Sequence, residues 1–212
     1  MGLSSICPEW SEGVEVAQIE GFRVRNYRSL RDVTIGRLYG DQNTPELTKL
    51  IAVIGKNGSG KSTLLDAFGF ISDCLTLGVE AACDQHQRGG FERLRPNGMT
   101  DPMQFDIYYR EGIGQRPITY ELAIDLDRSG RPFVKSEVLR QRRRNQSRGR
   151  PFPFLSLDNG EGQVWAGEDA LDIPNEESNL KEPVQLTDTR QLGIATLGTL
   201  RDHPGSPSSG IS

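Results

Sequence analysis

Between Ile51 and Thr63 the chain reads IAVIGKNGSGKST. A short apolar run ends at Gly55, Gly58 and Gly60 come next, and Lys61, Ser62 and Thr63 open a stretch with apolar residues at helical spacing. The spacing Gly55-x-x-x-x-Gly60-Lys61-Ser62 is the phosphate-binding loop pattern, set between an apolar segment and a helical one as that pattern requires. A triphosphate is a dense anion, and the chain holds it by turning successive backbone N–H groups inward. Glycine at 58 and 60 permits positive φ and leaves no Cβ between backbone and phosphate oxygen. The helix after the loop points its unpaired amides and partial positive charge at the same anion. By reach, Lys61 bridges the β- and γ-phosphates and is the candidate catalytic residue, Ser62 offers its hydroxyl to Mg²⁺, Thr63 meets the α-phosphate, and Asn57 lies at the γ end. The candidate nucleotide-binding set is therefore Gly55, Lys56, Asn57, Gly58, Ser59, Gly60, Lys61, Ser62 and Thr63, with Ser62 as metal ligand and ATP with Mg²⁺ as the expected occupants. The alternative is an ordinary glycine-rich turn that happens to end in Lys-Ser.

The flanking text gives each side of this loop a form. Residues 1–13 read as a loose lead-in. From Val14, VEVAQIEGFRVRNYRSL alternates as a half-buried strand does, and DVTIGRL (Asp32 to Leu38) reads as its hairpin partner. LTKLIAVIG (Leu47 to Gly55) ends in continuous apolar residues, as in a strand buried on both faces. After the loop, Leu64, Leu65, Phe68, Ile71 and Leu75 recur at helical spacing, and Gly78 is the expected stop. Residues 79–97 show no clear period, and QRGGFERLRPNG reads as an exposed loop. A β-meander is expected over about 103–167, with Asn159-Gly160 as its best hairpin turn. LTDTRQLGIATLGTLRDH reads as a late helix capped by Thr187 or Asp188, and 203–212 as a frayed tail.

The loop text GKNGSGKST resembles the G-x-N-G-S-G-K-S/T form found in ABC-type ATPases, and FRVRNYRSLRDVTIG is similar to the opening strands of RecF, SMC and OLD-family heads. The combination is similar to the bacterial branch of that superfamily often described as AAA-type. The resemblance is strongest from about Phe22 to Leu75, with looser likeness in RGGFERLR, FDIYYRE and QLGIATLGTLRDHP. It implies an α/β fold: a P-loop NTPase core, ABC-like and represented by its N-terminal half, with an antiparallel β-subdomain packed beside it over residues 14–202. It also implies ATP hydrolysis by two heads closing over nucleotide in a head-to-head homodimer. Arg23, Arg25 and Arg28 fall on strands where such heads contact nucleotide, although alternating strand arginines also suit a solvent face.

Hydrolysis by this machinery needs an apolar strand ending in Asp-Glu, where Asp supports Mg²⁺ and Glu polarises the attacking water. YELAIDLD ends in Asp125 and Asp127, but it alternates and no Glu follows. No LSGGQ-like helix and no later switch histidine are found, and His203 lies in a tail of the wrong type. The chain thus reads as the N-terminal half of a head, able to bind ATP but doubtful for turnover by itself, and exposing apolar surface meant for the other half. Gln191, Gln85 and Gln87 are the candidates for the glutamine that joins the Mg²⁺ shell. Two other classes stay open: a P-loop kinase for a small molecule, and a non-catalytic nucleotide-binding or DNA-associated module.

Composition narrows the rest. The net charge of -4 and mean hydropathy of -0.52 describe a polar, foldable chain with no global bias towards nucleic acid or membranes. The arginines 140, 142, 143, 144, 148 and 150 form one basic stretch that could follow a phosphate backbone, but no aromatic interleaves them and a solvated hairpin tip serves equally. Three cysteines (Cys7, Cys74, Cys83) without a CxxC pair suit a reducing, cytoplasmic setting. Cys83 and His86 have the spacing of half a metal site, but no second pair completes a zinc site. No apolar run reaches the length of a transmembrane helix, and MGLSSI lacks the hydroxyl residue a myristoylation site needs at position six.

Overall fold

The computed structural model describes residues 17–112, 114–142, 149–165 and 181–201. Alternating side chains along β1 (Gln18–Tyr27) put Phe22 and Val24 on one face, and the turn after Tyr27 returns the chain as β2 (Leu30–Gly36), with Val24 opposite Val33. This is the expected opening hairpin. A long excursion comes next. It carries the glycine loop and then α1 (Lys61–Leu77), α2 (Val79–Asp84), a 3₁₀ turn (Gln85–Gln87) and α3 (Phe91–Leu94). The chain then re-enters the sheet on the other side of β1 as β3 (Met103–Arg110). From there β4 (Ile118–Leu126), β5 (Pro132–Gln141), β6 (Phe152–Asp158), β7 (Glu161–Trp165) and β8 (Lys181–Gln185) extend it as a meander, and α4 (Gly193–Arg201) completes the described elements. The strand order is β2-β1-β3-β4-β5-β6-β7-β8, antiparallel at every pairing. Asn159 and Gly160 both take positive φ at the β6–β7 turn, as the hairpin signal requires.

Helices cover one face of this sheet. Leu64, Ala67, Phe70, Ile71 and Cys74 of α1 pack with Val79, Ala82 and Cys83 of α2 and Phe91 and Leu94 of α3 against Phe22, Val24, Met103, Phe105, Leu122 and Ile124. Tyr27, Phe70 and Phe105 form an aromatic triangle with centroids 5.4–5.7 Å apart, within the range where such pairs add about 0.5–1.5 kcal/mol to their area burial.

Several expectations are corrected here. The sheet of the described residues is antiparallel throughout, so the antiparallel β-structure expected as a subdomain beside an ABC-like α/β core makes up all of the described sheet. Leu47–Gly55 is not a strand: residues 51–56 are irregular, and Leu50 and Ile54 are 88% and 92% exposed. A strand needs a backbone ladder, and none of the eight described strands pairs with this segment. The helix after the loop is formed and stops at Gly78, but Leu65 and Leu75 face outward while Ala67, Phe70 and Cys74 take the inner stripe. The stretch QRGGFERLRPNG is not an exposed loop: it holds α3, with Arg88, Phe91 and Leu94 buried, and the residues before it, which showed no clear period, form α2 and the 3₁₀ turn. The late helix starts at Gly193, not at Thr187 or Asp188, and its cap comes from another element. The Glu137 carboxylate of β5, fully buried, accepts the N–H groups of Gly193 (2.5 Å) and Ile194 (3.0 Å) and the Tyr120 hydroxyl (3.0 Å). A Cβ at 193 would collide with Leu157 Cδ1, so glycine lets α4 approach this closely. Burial holds Glu137 above its ordinary range, against the pull of its three hydrogen bonds.

Candidate functional site

The loop is built by two glycines and a lysine. Gly58 (φ 80°) and Gly60 (φ 88°, ψ 7°) occupy the left-handed region, where a side chain is strained. Gly60 stands at the head of α1 with no side-chain cap, so the first-turn amides have no side-chain acceptor. Lys61 turns back over the bend, and its Nζ donates to the carbonyls of Gly55 and Lys56, both at 2.7 Å. Ser59 N–H closes the turn on Lys56 O at 3.2 Å. An ammonium is thus aimed into a bend whose two glycines have no Cβ, next to an uncapped helix start. Those are the parts that holding a polyphosphate needs, and the residues present fit ATP. Ser62, the expected Mg²⁺ ligand, is exposed on the first turn, with Thr63 beside it and Asn57 exposed at the tip.

The β1–β2 turn supports this loop from below. A Cβ at Gly60 would come 3.0 Å from Leu30 Cδ2 and 3.6 Å from Ser29 Oγ. Behind that turn, Asp66 of α1 gathers three partners. It accepts from the Tyr27 hydroxyl at 2.7 Å and from Arg88 Nε at 3.0 Å, and Arg28 Nε lies 3.3 Å away. Arg88, with 1% of its side chain exposed, also pairs with Asp73, donates to Ala82 O at 2.9 Å and lies 5.4 Å from the Phe70 ring centroid. Burial opposes its charge, yet the bonds to Asp73 and Asp66 prevail and hold it above its ordinary value. Burial and the Asp66 bond raise the Tyr27 hydroxyl far above its usual value, so it stays a donor. Sequence reading missed this cluster.

The remaining candidates are dispersed. Arg23 forms a two-point bond with Asp32 (2.8 and 2.6 Å) and Arg25 a single bond with Asp106 (2.9 Å), so both belong to cross-strand ion pairs, at the positions that alternate with buried Phe22 and Val24. Asp125 pairs with Arg95 (3.1 Å) and Lys135 (2.9 Å), and Asp127 accepts from Ser129 and Arg131 in the β4–β5 turn. Gln191 sits next to Gly78, where Arg190 O accepts Val79 N–H at 2.8 Å. That is the far end of α1, about 25 Å from the glycine loop at 1.5 Å per residue, so it is not positioned to join a metal shell there. Gln85 and Gln87 lie in the 3₁₀ turn, closer to the β1–β2 turn. Burial pushes the Cys83 thiol up to about 12, a poor start for a metal thiolate, and His86 Nε2 lies 3.6 Å from Asp73 instead. Of the basic stretch, Arg140 bonds Glu121 at 3.2 Å and Arg142 lies over Tyr39, while Arg143, Arg144, Arg148 and His203 lie outside the described residues. Among the described residues, no helix is long and apolar enough to cross a membrane.

Comparison with known protein families gives a match. The family model described as "AAA domain, putative AbiEii toxin, Type IV TA system" matches residues 50–197, more than half of the chain. The match opens at the apolar run before the loop and leaves the β1–β2 hairpin outside it. No curated protein and no solved structure matches. The chain belongs to this AAA-domain family, and with it carries a P-loop ATPase-like nucleotide-binding domain.

Proposed function

We propose that Gly55–Thr63 grips the triphosphate of ATP, and that the chain is a nucleotide-binding head of the RecF, SMC and OLD kind. One observation carries this reading: Lys61 Nζ already lies inside the bend formed by Gly55 and Lys56, over two left-handed glycines and an uncapped helix. The two carbonyls hold the ammonium where a phosphate oxygen would take over, so binding replaces one set of acceptors by a more strongly charged one. Amides of the first α1 turn and the loop supply the remaining donors. Thr63 orients the α-phosphate end. Ser62 holds Mg²⁺, which when bound spreads the negative charge of the β- and γ-phosphates.

The reading goes as far as binding in this chain. The carboxylates best placed in the sequence to support metal and water, Asp125 and Asp127, are committed to Arg95, Lys135 and a tight turn. The architecture beyond the loop disfavours kinase chemistry: after its short helices the chain enters a meander of hairpins in place of a mobile substrate lid.

Calorimetric titration with ATP and Mg²⁺ tests the proposal. Lys61→Ala is expected to abolish binding with the circular dichroism spectrum unchanged, because its ammonium contacts only exposed loop carbonyls. Ser62→Ala is expected to weaken the Mg²⁺ dependence with a smaller effect on metal-free binding. Equal ATP affinity in wild type and Lys61→Ala sinks the assignment.

A further inference from the structure

Beside the Asp66–Arg88 cluster a recess of about 580 Å³ opens to solvent, within the size range of ligand pockets. Arg28, Arg88, Arg93 and Arg95 line it, with the amides of Gln87 and Asn97, and Glu92 is the one carboxylate on its wall. Three of the guanidiniums are held from behind: Arg28 and Arg88 by Asp66, Arg88 also by Asp73, and Arg95 by Asp125. Arg93 is exposed and has no carboxylate partner among the described residues. Two lining residues are also strained. Arg28 (φ 50°) and Gln87 (φ 59°) are non-glycine residues in the left-handed region, as are their neighbours Asn26 and His86. Such strain persists only where the surroundings enforce it, and it concentrates at functional sites. Here Arg28 N–H is pinned to Leu94 O at 2.5 Å, which locks the β1–β2 turn to α3.

We propose that this recess is a second phosphate site, separate from the glycine loop. Arg88 is buried with its donors spent on Asp66, Asp73 and Ala82 O, so it forms the floor of the recess. Arg28 and Arg95, partly exposed and fixed by carboxylates behind them, are pre-oriented forks for phosphate oxygens, exposed Arg93 adds a third guanidinium, and the amides of Gln87 and Asn97 add neutral donors. The lining carries no aromatic ring, since Phe91 is buried beneath Arg95, so the site reads phosphate and not base. The shared chemistry is a phosphate group, carried either by a free polyphosphate or by a nucleic-acid strand.

The experiment uses the Lys61→Ala chain, which silences the glycine loop, titrated with inorganic pyrophosphate and separately with a short oligothymidylate at low salt. Arg93→Ala is added in that background, because Arg93 is exposed, without an ion pair among the described residues, and its loss spares the fold. Binding of pyrophosphate that weakens about tenfold on Arg93→Ala supports the site with a free polyphosphate as occupant. Binding of oligothymidylate alone, weakened similarly, supports it with a strand as occupant. No binding of either ligand, or binding unmoved by both Arg93→Ala and Arg93→Glu, overturns it. Failure of the ATP reading stays separate, since it is read from wild type against Lys61→Ala.

Discussion

A guanidinium as buried as that of Arg88 keeps its charge only through its surroundings: Asp66 and Asp73 neutralise it, Ala82 O takes a further donor, and Phe70 covers its face. Removing it strands two carboxylates that are themselves 20% and 18% exposed. Arg88→Ala is therefore expected to lower the free energy of unfolding by roughly 3 kcal/mol, at the low end for a broken buried pair because water reaches both acids. Urea denaturation measures this, and a loss near zero would mean the cluster does not stabilise the fold. The contrast with the glycine loop shows what a sequence discloses at this scale. Gly58, Gly60 and Lys61 act through neighbours a few positions away, so their spacing alone predicts the bend. Arg88 becomes a core residue only because Asp66 and Asp73, 22 and 15 positions earlier, turn inward from α1. Its local text of Gln, Arg and two glycines has the composition of a solvent-exposed loop.

At the level of elements, alternation made β1, β2 and the meander legible, and Gly78 marked the end of α1 as expected. What escaped was whatever depends on partners elsewhere. β8, KEPVQ, has a central proline and three polar residues, and it forms because an edge strand needs only one ladder and one inward side chain, Val184. The apolar run before the loop failed for the converse reason: its composition suits a strand, but no described strand pairs with it. α4 depends on Glu137, 56 positions earlier. Glu137→Ala is expected to speed hydrogen exchange at Gly193 and Ile194 at least tenfold, and unchanged exchange would show that α4 docks without the carboxylate. Its pH signature comes from the direction of its shift. A carboxyl raised in the folded state contributes stability that is full below its ordinary value of about 4.5 and is lost as pH rises through the folded value. The stability of wild type relative to Glu137→Gln should then fall as pH rises above about 4.5. Asp32, lowered by its bond to Arg23, and Asp188, lowered by Arg190, act in the opposite sense and lose their contribution on acidification.

For the molecule as a whole, the apolar segment before the loop remains outside the packed layers. Leu50, Ile51, Val53 and Ile54 are exposed, and Leu65 extends the same character onto the outer face of α1. Patches of this kind drive association. The pair Leu50→Ser and Ile54→Ser is expected to reduce self-association in sedimentation velocity while leaving the urea midpoint in place, since neither side chain is buried; a lowered midpoint would show that the segment packs against the body. The stretch from Leu186 to Ile194 behaves differently. Leu186 N–H bonds Gly160 O, Thr189 O accepts from Val134, Arg190 O accepts from Val79, and the Gly193 and Ile194 amides reach Glu137. This stretch ties the β6–β7 turn, β5 and α2 together. A ribosome produces it after everything it fastens, so the nascent polypeptide carries its sheet and helices without their keystone until translation has passed residue 194. Contacts of such long sequence separation form late, and native cooperativity arrives only once that keystone has been made.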